Sequence, residues 1–323
     1  SWGTDSWSIS EATSSNNPTN STTGPNQPGS DRGSVFSNSI LDMDSGSPVL
    51  VMSNGSLVTF SAITANGSTS SIADFTEDEV ISNAGQCAIL QNRTLRCRGM
   101  NNYGQLGLGS TLLTNGTVDF GSNIPVAVSN GNTHTCAILD DASIKCWGRN
   151  NHGQLGDGSY SNRNSPVDVN LGANRTAVSV SAGNDFTCAL LNTGDVKCWG
   201  YNGFGTLADG STSDSNTPVS ANHSTGMRAV SLATPGYSVC SIFENGSVYC
   251  WGRTYTVSAE NGAVTNGSVN IPFSDGRSAV SIDGTYWHTC AILDNGSMNC
   301  WGLNTHGQWG DGSCSSSISS SGC

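Results

Sequence analysis

One stretch constrains this chain more than any other: His134 to Ser159, reading HTCAILDDASIKCWGRNNHGQLGDGS. It returns from His288 as HTCAILDNGSMNCWGLNTHGQWGDGS and from Phe186 as FTCALLNTGDVKCWGYNGFGTLADGS. Weaker copies start at Gln86 and Val239, and a cysteine-free one, PVLVMSNGSLVTFS, starts at Pro48. The intervals from Cys87 to Cys136, Cys188, Cys240 and Cys290 are 49, 52, 52 and 50 residues. A chain that repeats at such a period builds one supersecondary unit many times over.

Each copy with cysteines places two of them ten positions apart: Cys87/Cys97, Cys136/Cys146, Cys188/Cys198, Cys240/Cys250 and Cys290/Cys300. The turn between them explains the spacing. Asp294-Asn295-Gly296 reads as a three-residue hairpin loop, a type I turn followed by a left-handed residue, with Gly296 in the left-handed place. Leu293 then faces Ser297, and three steps outward Cys290 faces Cys300, within reach of a disulfide. Zinc sites use two to four residues between paired cysteines, so no metal is expected here. Cys314 and Cys323 remain. Pairing with each other is the simplest reading, and an intermolecular bond is the alternative.

Twelve cysteines, ten of them at hairpin spacing, imply an oxidising, extracellular or cell-surface setting. Sequons are candidate glycosylation sites there: Asn20, Asn66, Asn115, Asn174, Asn222 and Asn266. Four more, Asn54, Asn92, Asn245 and Asn295, fall at hairpin turns, where asparagine is turn chemistry. The chain is so rich in Asn, Ser and Thr that such tripeptides also arise by chance.

Charged residues make up 11% of the chain, and Gly, Ser, Thr and Asn take their place, which favours turns and strands over helices. The formal charge of −12, with lysine only at positions 145 and 197, disfavours nucleic acid and anionic membranes as partners. No apolar run approaches a membrane span. The chain begins at Ser1 rather than Met, so processing is the expectation.

Three regions follow. Residues 1–33 form a Ser/Asn/Pro-rich arm, with Trp2, Trp7 and Ile9 as a small apolar patch. Residues 34–313 carry the repeats, and residues 314–323 form a Cys-flanked tail. Each unit reads as a strand such as 166–169, a second such as 177–183, and the cysteine hairpin. Four strands per unit of this length describe a β-propeller blade.

The pattern carried by His134, Ala137, Trp147, Gly148, Asn150, Gly153, Gln154, Leu155 and Gly156 resembles the regulator-of-chromosome-condensation repeat family. His288, Ala291, Trp301, Gly302, Asn304, Gly307, Gln308 and Gly310 repeat it, with Trp309 in the leucine position. The resemblance implies an all-β propeller, commonly of seven blades. Six hairpins are countable here, and a composite seventh from Ser1-Trp2-Gly3 and the tail stays open. Arg98 replaces the tryptophan in one copy, and the copy at Trp251 lacks the glycine-rich loop. Similar proteins include a nucleotide-exchange factor, chromatin binders, ubiquitin-ligase modules and a secreted β-lactamase inhibitor, so fold alone does not select a function.

Each chemically suggestive residue type has a plainer reading. His134, His288, His152 and His306 recur at fixed blade positions, as scaffold residues do. Asp157, Asp209 and Asp311 read as turn residues, and Trp147, Trp199, Trp251 and Trp301 as core between blades. Asp42-Met43-Asp44-Ser45-Gly46 loosely matches a calcium loop but lacks its bidentate glutamate. No catalytic elbow or metalloprotease helix is present. The expectation is therefore a non-enzymatic extracellular propeller without cofactor. Its partners would be further copies of itself, joined through the arm into a surface layer or filament, or another surface protein. The alternative is a monomeric secreted binder or inhibitor.

Overall fold

A computed structural model describes residues 86–222, 226–254, 263–273, 276–286, 288–304 and 307–310, and before them the strand segments Ser10–Glu11, Leu41–Asp42, Val49–Val51, Leu57–Thr59 and Val80–Ala84. Trp2, Trp7, Ile9, Asn20, Asn66, His306, Asp311, Cys314, Cys323 and the 43–46 loop lie outside these residues. Among the described residues every regular element of two or more residues is a strand.

The strands form six antiparallel sheets. The third sheet is representative. Pro125–Asn130 pairs with His134–Leu139, which pairs with Ile144–Gly148, which pairs with Arg163–Asp168. The first strands of the second to sixth sheets, Val80–Ala84, Pro125–Asn130, Ala177–Ala182, Ala229–Ala233 and Ala279–Gly284, lie against one another in succession. They are the inner strands, and each sheet is a blade. The first blade takes Ser10–Glu11 as its edge strand, paired with Leu57–Thr59 of the same chain.

The cysteine hairpin is thus the second and third strand of each blade that carries one, not the third and fourth. The segment at 166–169 does not open a unit. It closes the preceding one, with Val167 opposite Cys146. A repeat has the same period wherever counting begins, so the period alone left the phase of the blade undetermined.

The hairpins form as their turn residues require. Leu293 N–H donates to Ser297 O, Gly296 N–H donates to Leu293 O, and Gly296 has φ +80°. With positions 293 and 297 hydrogen-bonded, alternation makes the cysteine pair a non-hydrogen-bonded one, the closer kind. All five pairs, Cys87–Cys97, Cys136–Cys146, Cys188–Cys198, Cys240–Cys250 and Cys290–Cys300, are bridged, with Cα atoms 4.0–4.1 Å apart. Asn92, Asn245 and Asn295 cap their turns by accepting from Thr94, Ser247 and Ser297 two residues on, as Asx turns do. The fifth blade, which lacks the glycine-rich loop, instead carries two long strands, Val248–Thr254 and Ala263–Ile271, paired out to Thr254 and Ala263. The sequon asparagine Asn266 falls within the second of these.

The core is divided into clusters set between blades. Trp199 of the fourth blade packs with Ile144 and Leu155 of the third. Trp251 packs with Leu207, and Trp301 with Ile242 and Ile271, in the same manner at the next two joints. Trp147 sits with Leu95 and Leu106 at the joint before them.

Candidate interaction surface on the loop face

The Asn-x-x-Gly-Gln-Leu-Gly loop is a joint. Asn150 accepts from Leu155 N–H and donates to the carbonyls of Ser159 and Ser161, which folds the loop upon itself. The Gln154 carbonyl is then held toward the next blade, where Thr187 Oγ1 and Trp199 Nε1 both donate to it. The same pair of bonds runs from Thr135 and Trp147 to Gln105. Gly156 has φ +70°, and a Cβ there would lie 2.8 Å from Trp199 Nε1, so only glycine fits. The tryptophans are at most 2% exposed and form core, as their repetition implies.

The bridged cysteines serve the core and bring no chemistry to a binding surface. Cys97, Cys198 and Cys250 are buried in the joint clusters that also hold Leu106, Leu207 and Ile271. Cys136 and Cys146 share the cluster around Trp199 in the same way.

His134 is scaffold too. It is fully buried, its Nε2 meets Thr187 at 2.8 Å, and burial pushes its pKa down to about 4 despite the nearby Asp185. His288 is shifted down by burial in the same direction. Asp157 accepts from the N–H and hydroxyl of Ser159, and Asp209 from Ser211 N–H, as turn residues do. Asn115, Asn174 and Asn222 are exposed.

A different set of side chains, at slots where the repeats disagree, meets on the loop face. Three slots supply it. The residue after Trp-Gly is Arg149, Tyr201 and Arg253 in successive blades. The residue two after the loop asparagine is Tyr103, His152 and Phe204. The residue three before the first cysteine is Asp185 and Tyr237. Tyr201, Phe204 and Tyr237 form a triangle of edge-on rings with centroids 5.4–5.6 Å apart. His152 lies edge-on to Tyr201 at 5.1 Å, and Tyr286 extends the set from Tyr237 at 6.3 Å. All three rings of the triangle are half-buried.

Polar contacts fix this group. Tyr237 donates to Asp185 Oδ2 at 2.8 Å, and burial together with that bond pushes its phenol pKa up, so it remains a donor. Arg149 stands 3.6 Å from the other Asp185 oxygen and 5.3 Å from the Tyr103 ring centroid. Arg253 lies over Phe204, also at 5.3 Å. Asp214 takes His152 Nδ1 at 2.7 Å and Asn202 N–H at 2.8 Å. His152 therefore differs from His134. Its backbone serves the loop, but its side chain belongs to this surface. Sequence reading missed the rest, because it sought residues that repeat. The signal lay in slots that vary inside an otherwise constant frame.

The surface offers ring edges and faces, two guanidiniums, and two carboxylates already bonded within it. Tyr, Phe and Arg are among the residue types enriched at protein interfaces, Tyr and Arg at their energetic centres.

Comparison with known proteins agrees with the fold. Models of the regulator of chromosome condensation (RCC1) repeat match residues 126–154, 146–190, 177–206 and 279–308. The chain is 34% identical over 74 residues to the RCC1 domain-containing protein RUG3, mitochondrial, of Arabidopsis thaliana; the match covers 23% of this chain and 17% of that relative. Human WBSCR16 superposes with a TM-score of 0.61 at 21% identity, over 68% of this chain and 59% of that one. Yeast RCC1 (Prp20), in its structure bound to Kap60, gives 0.61 at 15% identity, over 72% and 57%. The chain thus spans under one fifth of that curated relative and a little over half of those structures. Residues 126–206 and 279–308 thus resemble RCC1 repeats, and the sheets are blades of a β-propeller similar in fold to these structures.

Proposed function

We propose that this chain is a non-enzymatic protein-binding module of an oxidising, extracellular setting, and that the loop-face aromatic surface is where it binds. The observation that carries this reading is the triangle of Tyr201, Phe204 and Tyr237. Three half-buried rings sit at slots the blade does not need for packing, ringed by arginine and histidine. The five staples support the setting, because such bonds persist where thiols are not kept reduced. Yeast RCC1 (Prp20), a protein of similar fold, is seen bound to Kap60.

Assembly of copies through residues 1–10 is the competing reading. Pairing of Ser10–Glu11 with the same chain's Leu57–Thr59 favours an arm engaged within its own chain.

A random peptide display library tests the binding reading. Gly203→Ala is a suitable variant, because its Cβ would lie 2.2 Å from the Tyr201 hydroxyl and displace that ring from the triangle. Enriched peptides should bind the parent protein, fail to bind Gly203→Ala and Tyr237→Ala, and still bind Asp141→Ala at a hairpin turn away from the triangle. Peptides indifferent to Gly203→Ala and Tyr237→Ala would overturn the reading.

A further inference from the structure

Resting on that reading, we infer that the loop-face surface is built for an acidic segment of a partner protein, one that seats an apolar side chain on the ring triangle between flanking carboxylates. The argument is one of charge. The whole chain carries −12, which at first sight favours a basic partner. Charges beyond about 8–10 Å are screened at physiological salt, however, so the groups beside the triangle decide. Its two carboxylates are held within the surface, although Asp185 Oδ1 is buried without a hydrogen bond and only 3.6 Å from Arg149. Asp185 is 7% exposed and bonded to Tyr237, and Asp214 is held by His152 and Asn202 N–H. Its two cations are less so. Arg253 lies over the Phe204 ring, and among the described residues no carboxylate pairs with it. Arg149 reaches Asp185 only at 3.6 Å, and its side chain is 27% exposed. A guanidinium spread on a ring keeps donor edges free for a carboxylate, which it binds with two parallel hydrogen bonds.

The rings favour a protein segment over an acidic polysaccharide. A sugar stacks on an open ring face, whereas these rings meet one another edge to face at interplanar angles of 62–70° and present mixed edges and faces. A branched aliphatic or aromatic side chain packs against such mixed edges and faces. Arg149 and Arg253 come from blades on either side of the one that supplies Tyr201 and Phe204, so the segment would cross the blade direction.

The same library, read for composition, tests this separately from binding itself. Enriched peptides should carry carboxylates on both sides of an apolar residue. Their affinity for Arg253→Glu should fall at least about tenfold, as reversal of a contacting charge does. Exchanging the peptide's glutamates for lysines should restore binding to that variant, and Arg253→Gln should be intermediate. Unchanged circular dichroism and melting would show that the variants fold. Neutral or basic peptides that still need Tyr201 and Tyr237 would overturn the inference and leave the binding function standing. Peptides indifferent to Gly203→Ala and Tyr237→Ala would overturn both. Capture of a polyuronate with no peptide enriched would also overturn the inference.

Discussion

Ala142 holds a left-handed backbone, φ +61°, at the turn position that is glycine in the next three blades, Gly194, Gly246 and Gly296. A side chain there costs about 1–2 kcal/mol, and glycine's extra chain entropy returns about 0.5–1 of that. Ala142→Gly should therefore stabilise the protein by about 0.5–1 kcal/mol in chemical denaturation, and a loss of stability would contradict the turn assignment. His134 gives a second expectation at this scale. Its pKa is about 4 in the fold and 6.5 when exposed, so the unfolded chain binds the extra proton between those values. Stability from this group is fully present above pH 6.5 and is lost as pH falls toward 4, by about 3 kcal/mol. Phe186 fills the same slot in the next blade, so His134→Phe should fold, and its stability should fall less than the parent's between pH 6.5 and 4. Parallel pH curves would sink the assignment. Cysteines, turn glycines and core tryptophans could be read from sequence because each blade needs them and shows them again. Tyr201, Tyr237 and Arg253 could not, because no repeated demand of the backbone selects them.

At the scale of the element, the hairpin is fixed by local chemistry and its place in the blade by contacts far along the chain. That is why pairing of Cys136 with Cys146 was legible, while the position of Arg163–Asp168 in the same blade was not: a 14-residue loop separates that strand from Gly148. The staple's worth follows from its short span. A ten-residue separation gives about 3 kcal/mol by the chain-entropy relation. Replacing both Cys136 and Cys146 with alanine should lower stability by about that amount or somewhat more, through the lost buried sulfur packing, and leave the strands in place. Nine of the ten hairpin cysteines are at most 4% exposed, and Cys300 is half-buried. Reductant should therefore open the first four bridges no faster than the protein unfolds, and Cys290–Cys300 should open first. Thiol labelling under native conditions with reductant would measure both. Rapid labelling of Cys97, Cys198 or Cys250 in the native protein would show that the buried bridges are accessible after all.

Across the whole molecule, stability is distributed over joints. Trp199 is the plug of one joint. It is fully buried, donates to the Gln154 carbonyl, and packs with residues of both the third and fourth blades. Removing a buried side chain of this size costs about 3–5 kcal/mol. Each core cluster spans only two neighbouring blades, as in repeat architectures whose energies sum over adjacent units. Trp199→Ala should therefore weaken the third and fourth blades selectively. Native-state hydrogen exchange should speed up in His134–Leu139 and Phe186–Leu191, while His288–Leu293, two joints away, keeps its protection. Trp199→Phe keeps most of the volume and loses the bond to Gln154, and it should show the same pattern with a smaller amplitude. Equal loss of protection in all the hairpins would mean that the blades open as one cooperative ring. The segmented core would then not set the unit of unfolding. Local loss bears on the loop face as well, because Tyr201 follows Trp199 by two residues and Asp185 precedes the same hairpin. Opening of the joint between the third and fourth blades should therefore weaken peptide binding at the triangle in proportion to the population of the opened state.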